Sequence, residues 1–487
     1  MKSAVAISAL TVVAALTACT LEPHYKRPVA PVPATWTGGA PRTAANQTAA
    51  PDIGWRQFFP DPGMQRLIGL SLANNRDLRV AALNVQAAQA QYRVQRADLF
   101  PTIAANGLEQ VEKYPAGVFA TGAQGAAATG GAAGTTTGGA TIRYFEAGVG
   151  FTSYELDLFG RIRSLSHAAL ERYLSSAETR RSAQLSLIAE VVSAYLAVLA
   201  DETILKVTRK TLESQTASYD LTKRSLEAGA TTALAFRQAA STVDTAKANL
   251  AAYIRQAAQD RNALVLLIGG PLPDDLPFEA DLGTVNLSAD LPAGVPSEVL
   301  ASRPDVLAAE HQLIAANADI GAARAAFFPR ITLTGSYGTA STQLSGLFKP
   351  GSSAWTFSPQ ITLPIFTGGA NKANLDLNKI QTDINIAQYE KTLQTAFREV
   401  DDALAARQTL DEQLAAQRAV LEDTSQAYQL AELRFRSGVD SFLPVLDAQR
   451  ALYSAQQGVV SLELMRLQNM ATLYKALGAG MREETRP

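Results

Sequence analysis

Cysteine, histidine and uncompensated charge are all scarce in this chain, and each scarcity removes a class of function. Of 487 residues only one, Cys19, is a cysteine, so no intramolecular disulfide can form. With only His24, His167 and His311 beside it, the ligands of a Cys/His zinc cluster are missing. Lys and Arg number 43 against 45 Asp and Glu, a net charge of -2 that leaves no basic footprint for nucleic acid. Long apolar runs are missing too. After Ala18 there is no stretch of 18 uncharged apolar residues, and the most hydrophobic candidate, Leu185 to Leu199, is interrupted by Glu190. If the exported chain crosses a bilayer, it must do so as strands of a closed barrel, because open sheet edges cannot remain in lipid. The neighbouring carboxylates Asp401-Asp402 point to different helix faces, and Asp274-Asp275 lie in a Pro-rich segment. Neither pair supports acid/base chemistry, so the expectation is no enzyme and no cofactor.

The N-terminus reads as an export signal. Met1-Lys2 precedes an uncharged stretch, Ser3 to Ala18, which fits a charged n-region and short apolar h-region better than a membrane span. The run Leu16-Thr17-Ala18-Cys19 resembles the bacterial lipobox, in which the cysteine is acylated and becomes the first residue. A conventional signal with an incidental cysteine is the alternative. Lipidation is favoured because the single cysteine lies directly after the h-region, and several acyl chains would hold the chain on a membrane almost irreversibly. By the sorting rule of such lipoproteins, Thr20 rather than Asp in the next position points to the outer membrane.

Four segments carry strand periodicity. In Trp355 to Ile365 the odd positions Trp355, Phe357, Pro359, Ile361, Leu363 and Ile365 are apolar or Pro, while Thr356, Ser358, Gln360 and Thr362 alternate with them. Ile331, Leu333 and Tyr337 oppose Thr332, Thr334 and Ser336 in the same way, and Phe145, Ala147, Val149 and Phe151 alternate with Glu146, Gly148, Gly150 and Thr152. Ile103 to Val111 is a weaker fourth strand. Any one of them suits a half-buried strand of a soluble sheet; two such hairpins in an otherwise helical exported chain favour a barrel. Four strands cannot close one, since even small barrels use about eight, so the chain must oligomerise. The Gly117 to Gly139 loop of the first hairpin is nearly all Gly, Ala and Thr and lacks the Gly-Lys-Ser/Thr of a phosphate loop, so it reads as a flexible external loop.

The chain also repeats itself. Asp77 to Ile103 overlies Asp305 to Ile331 at a constant shift of 228 positions, matching Phe100-Pro101 with Phe328-Pro329. A shift of 209 then matches Glu190-Val191 with Glu399-Val400, Tyr219 with Tyr428, Gly229 with Gly438, Leu234 with Leu443 and Gly269 with Gly478. Each copy reads as helix, hairpin, long helix, return helix. Repeat 1 spans 74–269, with a helix from Asn74 to Asp98, a hairpin at 102–158, a long helix at 160–228 and a return helix at 231–268. Repeat 2 spans 302–477, with a helix from Ser302 to Ala326, a hairpin at 331–366, a long helix at 369–437 and a return helix at 440–477. A signal at 1–18, an N-terminal segment at 19–73, a Pro-rich linker at 270–301 and a tail at 478–487 complete the organisation. A continuous helix the length of 160–228 would reach about 100 Å, and the two shorter helices of each copy, placed end to end, nearly match it. The second return helix has a seam from Leu443 to Tyr474 in alternating steps of three and four, coiled-coil spacing with two polar interruptions, Arg450 and Gln457.

At this point the sequence resembles the TolC/OprM-like outer-membrane factors, in particular the NodT-type lipoproteins that serve resistance-nodulation-division (RND) efflux pumps. The resemblance is carried by the lipobox Cys19, by Pro23, Tyr25 and Arg27-Pro28, by Trp55 and Phe58-Phe59, and by Asp157-Leu158-Phe159-Gly160-Arg161. It continues through Arg303-Pro304-Asp305-Val306, Phe327-Phe328-Pro329, Pro364-Ile365-Phe366, Arg436-Ser437-Gly438-Val439-Asp440 and Leu446-Asp447-Ala448-Gln449. It implies an α+β membrane protein: a homotrimeric 12-stranded β-barrel with four strands per protomer, continued by a long periplasmic α-helical barrel. A mixed belt of the N- and C-terminal segments and the linker would surround the helices. It also implies an exit duct for drugs and small toxic compounds, with a periplasmic adaptor, an inner-membrane RND transporter and outer-membrane lipid as partners; a TolC-type duct for type I protein secretion is the alternative, which the lipobox disfavours. A lipid-tethered structural coiled coil would have no use for the hairpins. Carried over by position, the periplasmic aperture falls on Leu443 and Asp447, with Phe435, Val439 and Asp440 nearby. Adaptor contact falls on the turns Ala228-Gly229-Ala230 and Ser437-Gly438-Val439. Some members carry a second acid three positions before the aperture Asp; here it is Pro444, so a double acidic ring is not implied. Replacing Cys19 with Ser is expected to abolish incorporation of labelled palmitate, and a retained label would end the lipoprotein assignment.

Overall fold

The computed structural model describes residues 20–37, 50–115, 140–276, 278, 282–287, 291 and 296–485; Cys19, the signal and nearly all of the Gly/Ala/Thr loop lie outside them. The helices are α1 (Trp55–Phe58), α2 (Pro62–Asn74), α3 (Arg76–Ala97), α4 (Arg161–Glu227), α5 (Ala233–Ile268), α6 (Pro296–Ser302), α7 (Pro304–Ala325), α8 (Ala370–Arg436) and α9 (Leu443–Ala476). The strands are β1 (Ile103–Tyr114), β2 (Ala140–Leu156), β3 (Arg330–Ser341) and β4 (Ser353–Thr362). The order helix, two strands, 67-residue helix, return helix thus occurs twice. The chain divides into two compact units, one containing residues 20–26, 89–172 and 314–384, the other 27–88, 173–313 and 385–485.

The first unit holds a single antiparallel sheet in the order β1-β2-β3-β4. Its register keeps the alternation read from sequence. One face carries the rows Ala105–Val149–Tyr337–Trp355 and Ile103–Phe151–Gly335–Phe357, followed by Leu333 with Pro359 and Ile331 with Ile361. The other carries Gly150, Ser336 and Thr356 in one row and Asn106, Gly148, Gly338 and Ala354 in the next. On this second face Gly148 and Gly338 lie opposite each other, and an added Cβ would come within 2.8 and 2.3 Å of backbone oxygens, so only glycine fits the close approach. Between Phe151 and Tyr154 the register slips by one residue. This bulge, with Ser153 at φ 55°, returns Tyr154 to the apolar face.

The second unit is helical, and its core gathers segments that are far apart in sequence. Phe58 of α1 stacks on Tyr474 of α9 at 4.4 Å, and Phe59 meets the same ring edge-on at 5.1 Å. Such ring pairs contribute about 0.5–1.5 kcal/mol beyond their burial. The Tyr474 hydroxyl, fully buried, donates to the Ile53 carbonyl at 2.9 Å, which removes the cost of an orphaned polar group. Leu282, Val285, Leu291 and Val299 from the linker side join this core, and Trp36 stacks on Phe397 at 4.9 Å. The C-terminal tail lies along α1, where Trp55 N–H and Arg56 N–H donate to the Arg482 and Glu483 carbonyls at 3.1 and 3.2 Å. By length and composition α4 contains a stretch apolar enough to cross a membrane. Its Ile188, Val191, Val192, Tyr195, Leu196 and Leu199 are buried in this core, which accounts for their apolarity.

Several boundaries differ from the sequence expectation. The first helix starts at Arg76 rather than Asn74, because Asn75 caps it. Its Oδ1 accepts from Leu78 N–H at 2.9 Å, while its Nδ2 donates to the Leu267 carbonyl at the end of α5, also at 2.9 Å. The Ser302 start becomes Pro304. Arg303, 5% exposed, interrupts the helix to bind Asp305, Glu399 and the Ala476 carbonyl, and Pro304 suits the first turn. Both short helices therefore meet a return helix end to end, at Asn75 with Leu267 and at Arg303 with Ala476. Gly160 and Gly369 are left-handed, at φ 76° and 89°, so the long helices begin one residue later. The strand ending at Ile365 stops at Thr362, and the return helix expected from Asp440 begins at Leu443.

One buried acid in this unit should make stability fall with rising pH. Asp201 of α4 is 8% exposed and its Oδ2 has no hydrogen-bond partner among the described residues. Burial first, then the neighbouring Asp260 carboxyl, push its pKa from 3.8 up to about 7. Folding therefore favours the protonated acid, and this contribution is complete below about pH 4 and lost as pH rises through 7. Asp201→Asn should raise the thermal midpoint above pH 7 and leave it unchanged near pH 4; a pH-independent difference would contradict this.

Candidate functional site: hairpin tips and aperture residues

The two helical turns expected to meet a partner have the same backbone. At the end of α4, Ala230 N–H donates to the Ser225 carbonyl at 2.8 Å and Gly229 N–H to Leu226 at 2.9 Å. At the end of α8, Val439 N–H donates to Arg434 and Gly438 N–H to Phe435, each at 3.0 Å. These paired bonds close the last helical turn as a Schellman motif, which needs a left-handed residue just past the helix. Gly229 and Gly438 supply it at φ 73° and 72°. Ala228, Gly229, Ala230, Ser437, Gly438 and Val439 are all exposed. Thr232 caps the start of α5 by accepting from Ala235 N–H at 3.2 Å.

Among the expected aperture residues the structure groups some and separates others. Leu443 and Asp447 are one helical turn apart on α9, both exposed, and so share a face. Arg450 follows on that face, its guanidinium 3.9 Å from the Asp447 carboxylate. Val439, 62% exposed, lies in the turn before the helix. Asp440 is held by Arg434 through two bonds of 2.5 and 3.1 Å, and this hydrogen bond, then the positive charge, hold its carboxyl below the usual range. Phe435 does not join the exposed set. It is half-buried against Phe442, 5.1 Å between ring centres, beside the small cluster of Ala239, Val445 and Leu446. Sequence reasoning passed over Arg434, Arg450 and Phe442. Arg450 was legible as a residue three positions after Asp447, whereas the Arg434–Asp440 pair needs the turn between them.

The apolar sheet face and the N-terminal segment complete the set. Trp355 is 73% and Ile361 69% exposed, so among the described residues nothing covers these positions of that face, whereas Phe145 farther along it is buried. Cys19 lies outside the described residues, but the chain just after it is firmly placed. The Leu21 and Pro23 carbonyls accept from Arg324 and Asn317 at 3.2 and 2.7 Å, and protonated His167 donates to Glu22 at 3.0 Å. Hydrogen bonds to Glu171 and then Glu22 push the His167 pKa up to about 10, so this clasp stays charged at neutral pH. Of the two adjacent acid pairs, Asp401 accepts from Thr37 N–H at 2.8 Å and Asp275 accepts from Arg66 at 2.6 Å.

The family model described as outer membrane efflux protein matches residues 67–270 and 295–479. The chain belongs to the outer membrane efflux protein family. It is 49% identical over 470 residues, 96% of this chain and 94% of the relative, to the toluene efflux pump outer membrane protein TtgC of Pseudomonas putida. It is 43% identical to outer membrane protein OprJ of Pseudomonas aeruginosa, covering 99% of this chain and 97% of that one. Among solved structures, the open state of the Neisseria gonorrhoeae MtrE outer membrane channel aligns with a TM-score of 0.85 at 40% identity, over 96% of this chain and all of that one. As a member of this family the protein resides in the outer membrane. Its helix-rich fold with a small four-stranded sheet is that of these channels.

The tip glycines offer a direct test of the turn geometry. An added Cβ at Gly229 or Gly438 meets nothing within 4 Å, so the only penalty is the left-handed backbone. Gly229→Ala and Gly438→Ala should each cost about 1 kcal/mol in chemical denaturation, with Asn costing less at either position. Equal losses for Ala and Asn would mean that something other than φ sets the turn.

Proposed function

We propose that this chain is the exit duct of a tripartite efflux pump. It would carry small toxic solutes, such as drugs and solvents, from a periplasmic adaptor and an inner-membrane RND transporter to the exterior. The observation that carries this is the sheet: one face is apolar and largely exposed, and among the described residues its two outer strands, β1 and β4, each have an unpaired edge. In lipid both edges must be paired, and joining β4 of one copy to β1 of the next satisfies them. Three copies give twelve strands, a number that encloses an open lumen. The crowded Gly148–Gly338 face suits the concave, inner side of such a barrel. The doubled order of elements supports an internal duplication, in which each copy supplies one hairpin to the barrel and helices to the tunnel.

Conduction needs no catalytic step and no cofactor. In the trimer, three Leu443 side chains would narrow the tunnel and disfavour water, while three Asp447 carboxylates would form a ring of negative charge. The exposed turns at Gly229 and Gly438 are the adaptor contact in this proposal. Acylated Cys19 adds a second attachment to the outer membrane, with no role in transport. The lipobox argues against the protein-secretion duct.

Replacing both Leu443 and Asp447 with Ala should raise single-channel conductance in planar bilayers several-fold by widening the constriction. A channel of unchanged conductance would remove these residues from the gate. A preparation that forms no channels at all, as wild type, would instead remove the duct.

A further inference from the structure

The rim of the sheet farthest from the helices carries a charge pattern that conduction does not use. All four strand ends that join helices lie at one end of the sheet, so the β1–β2 and β3–β4 connections lie at the other, which faces outward in the proposed barrel. Residues 140–144 of β2 pair with β1 but not with β3. The first hairpin therefore projects about 17 Å beyond the last β2–β3 pair. On the face that carries Val149, Tyr337 and Trp355, the projecting rows hold Val111 with Arg143 and Lys113 with Thr141.

Arg143 and Lys113 are exposed and without a hydrogen bond or ion pair among the described residues. The β3–β4 connection at the same end adds Lys349, also exposed, beside Leu344 and Phe348, which are 67% and 79% exposed. No acidic residue occurs between Thr342 and Ser352. The acids of the projecting hairpin are Glu109, on the outer face, and Glu112 and Glu146, on the inner face. Glu112 is engaged locally by Gln110 and Tyr114. The rim thus sets Lys113 and Arg143 against Glu109 on the outer face, with Lys349 in the connection at the same end, all beyond the aromatic pair Tyr337–Trp355 toward the strand tips.

We propose that this rim binds the phosphate groups of a phosphorylated glycolipid in the outer leaflet. The acyl chains would lie against Trp355 and Phe357, and Leu344 and Phe348 would dip into the headgroup layer. The proposal rests on the barrel assignment above. Its warrant is charge complementarity continuous with a lipid-facing surface. Aromatic residues mark the interface on such barrels, and cations just beyond it meet the anionic headgroups. A cation near an anionic leaflet strengthens binding about fivefold, so three act together as a strong local preference.

The test uses the full-length protein in phosphatidylethanolamine nanodiscs doped with diphosphorylated lipid A, or with the same lipid after phosphate removal. Retained lipid is counted by native mass spectrometry. Wild type should hold the diphosphorylated lipid, and the triple variant Lys113→Gln, Arg143→Gln, Lys349→Gln should bind it about a hundredfold more weakly. The dephosphorylated lipid should bind both proteins equally and weakly. Equal retention of the two lipids by wild type, or no change in the variant, overturns the proposal. Quenching of Trp355 fluorescence by brominated acyl chains checks the premise separately, because its loss would remove the barrel while its persistence leaves the rim alone at stake.

Discussion

An unpaired strand edge cannot be left in hydrocarbon, and the sheet of this chain has two of them. The remaining features follow from that constraint. The apolar rows from Ile361 to Trp355 have no cover among the described residues, and the crowded glycines of the opposite face leave little room for side chains. In the proposed barrel such a sheet closes with other copies of itself, which would arrange the attached helices around a common axis and enclose a lumen.

Packing is distributed unevenly along the helical unit. Around Tyr474, Phe58 and Phe59, segments from the N-terminus, the linker and the C-terminal tail share one extensive core. Near the turns at Gly229 and Gly438 the buried apolar cluster is small, made of Ala239, Phe442, Val445 and Leu446. Sparse burial lowers the free energy of local opening, so the tip is the end of this unit best able to move. The aperture of the proposed duct is assigned to this end for that reason. The ion pairs of the tip are exposed, as with Arg436 and Glu432 at 66% and 33%, and bonds of this kind add little stability.

Sequence reasoning recovered most of the fold because the signals were periodic. The alternation from Trp355 to Ile361 had to be a two-faced strand, and Gly229 and Gly438 had to end helices because the segments before them are long and free of proline. It failed where a single side chain was recruited by a distant one. Asn75 and Arg303 both fell inside expected helices, whereas the Asn75 amide is drawn to the Leu267 carbonyl and Arg303 is buried against Asp305, Glu399 and the end of α9. The bulge at Ser153 left no trace either, since neither Thr152 nor Ser153 is a glycine.

Period two, the proline-free runs and the order of elements are properties of neighbouring residues, and the chain alone determined them. Which charges neutralise one another was decided only in three dimensions. Arg434 reaches Asp440 across a left-handed turn, His167 clasps Glu22 from another segment, and Phe435 turns inward onto Phe442 instead of outward with Leu443. Local periodicity follows from backbone geometry, which every short window of sequence contains. Pairing between distant side chains depends on how the helices pack, and no window contains that.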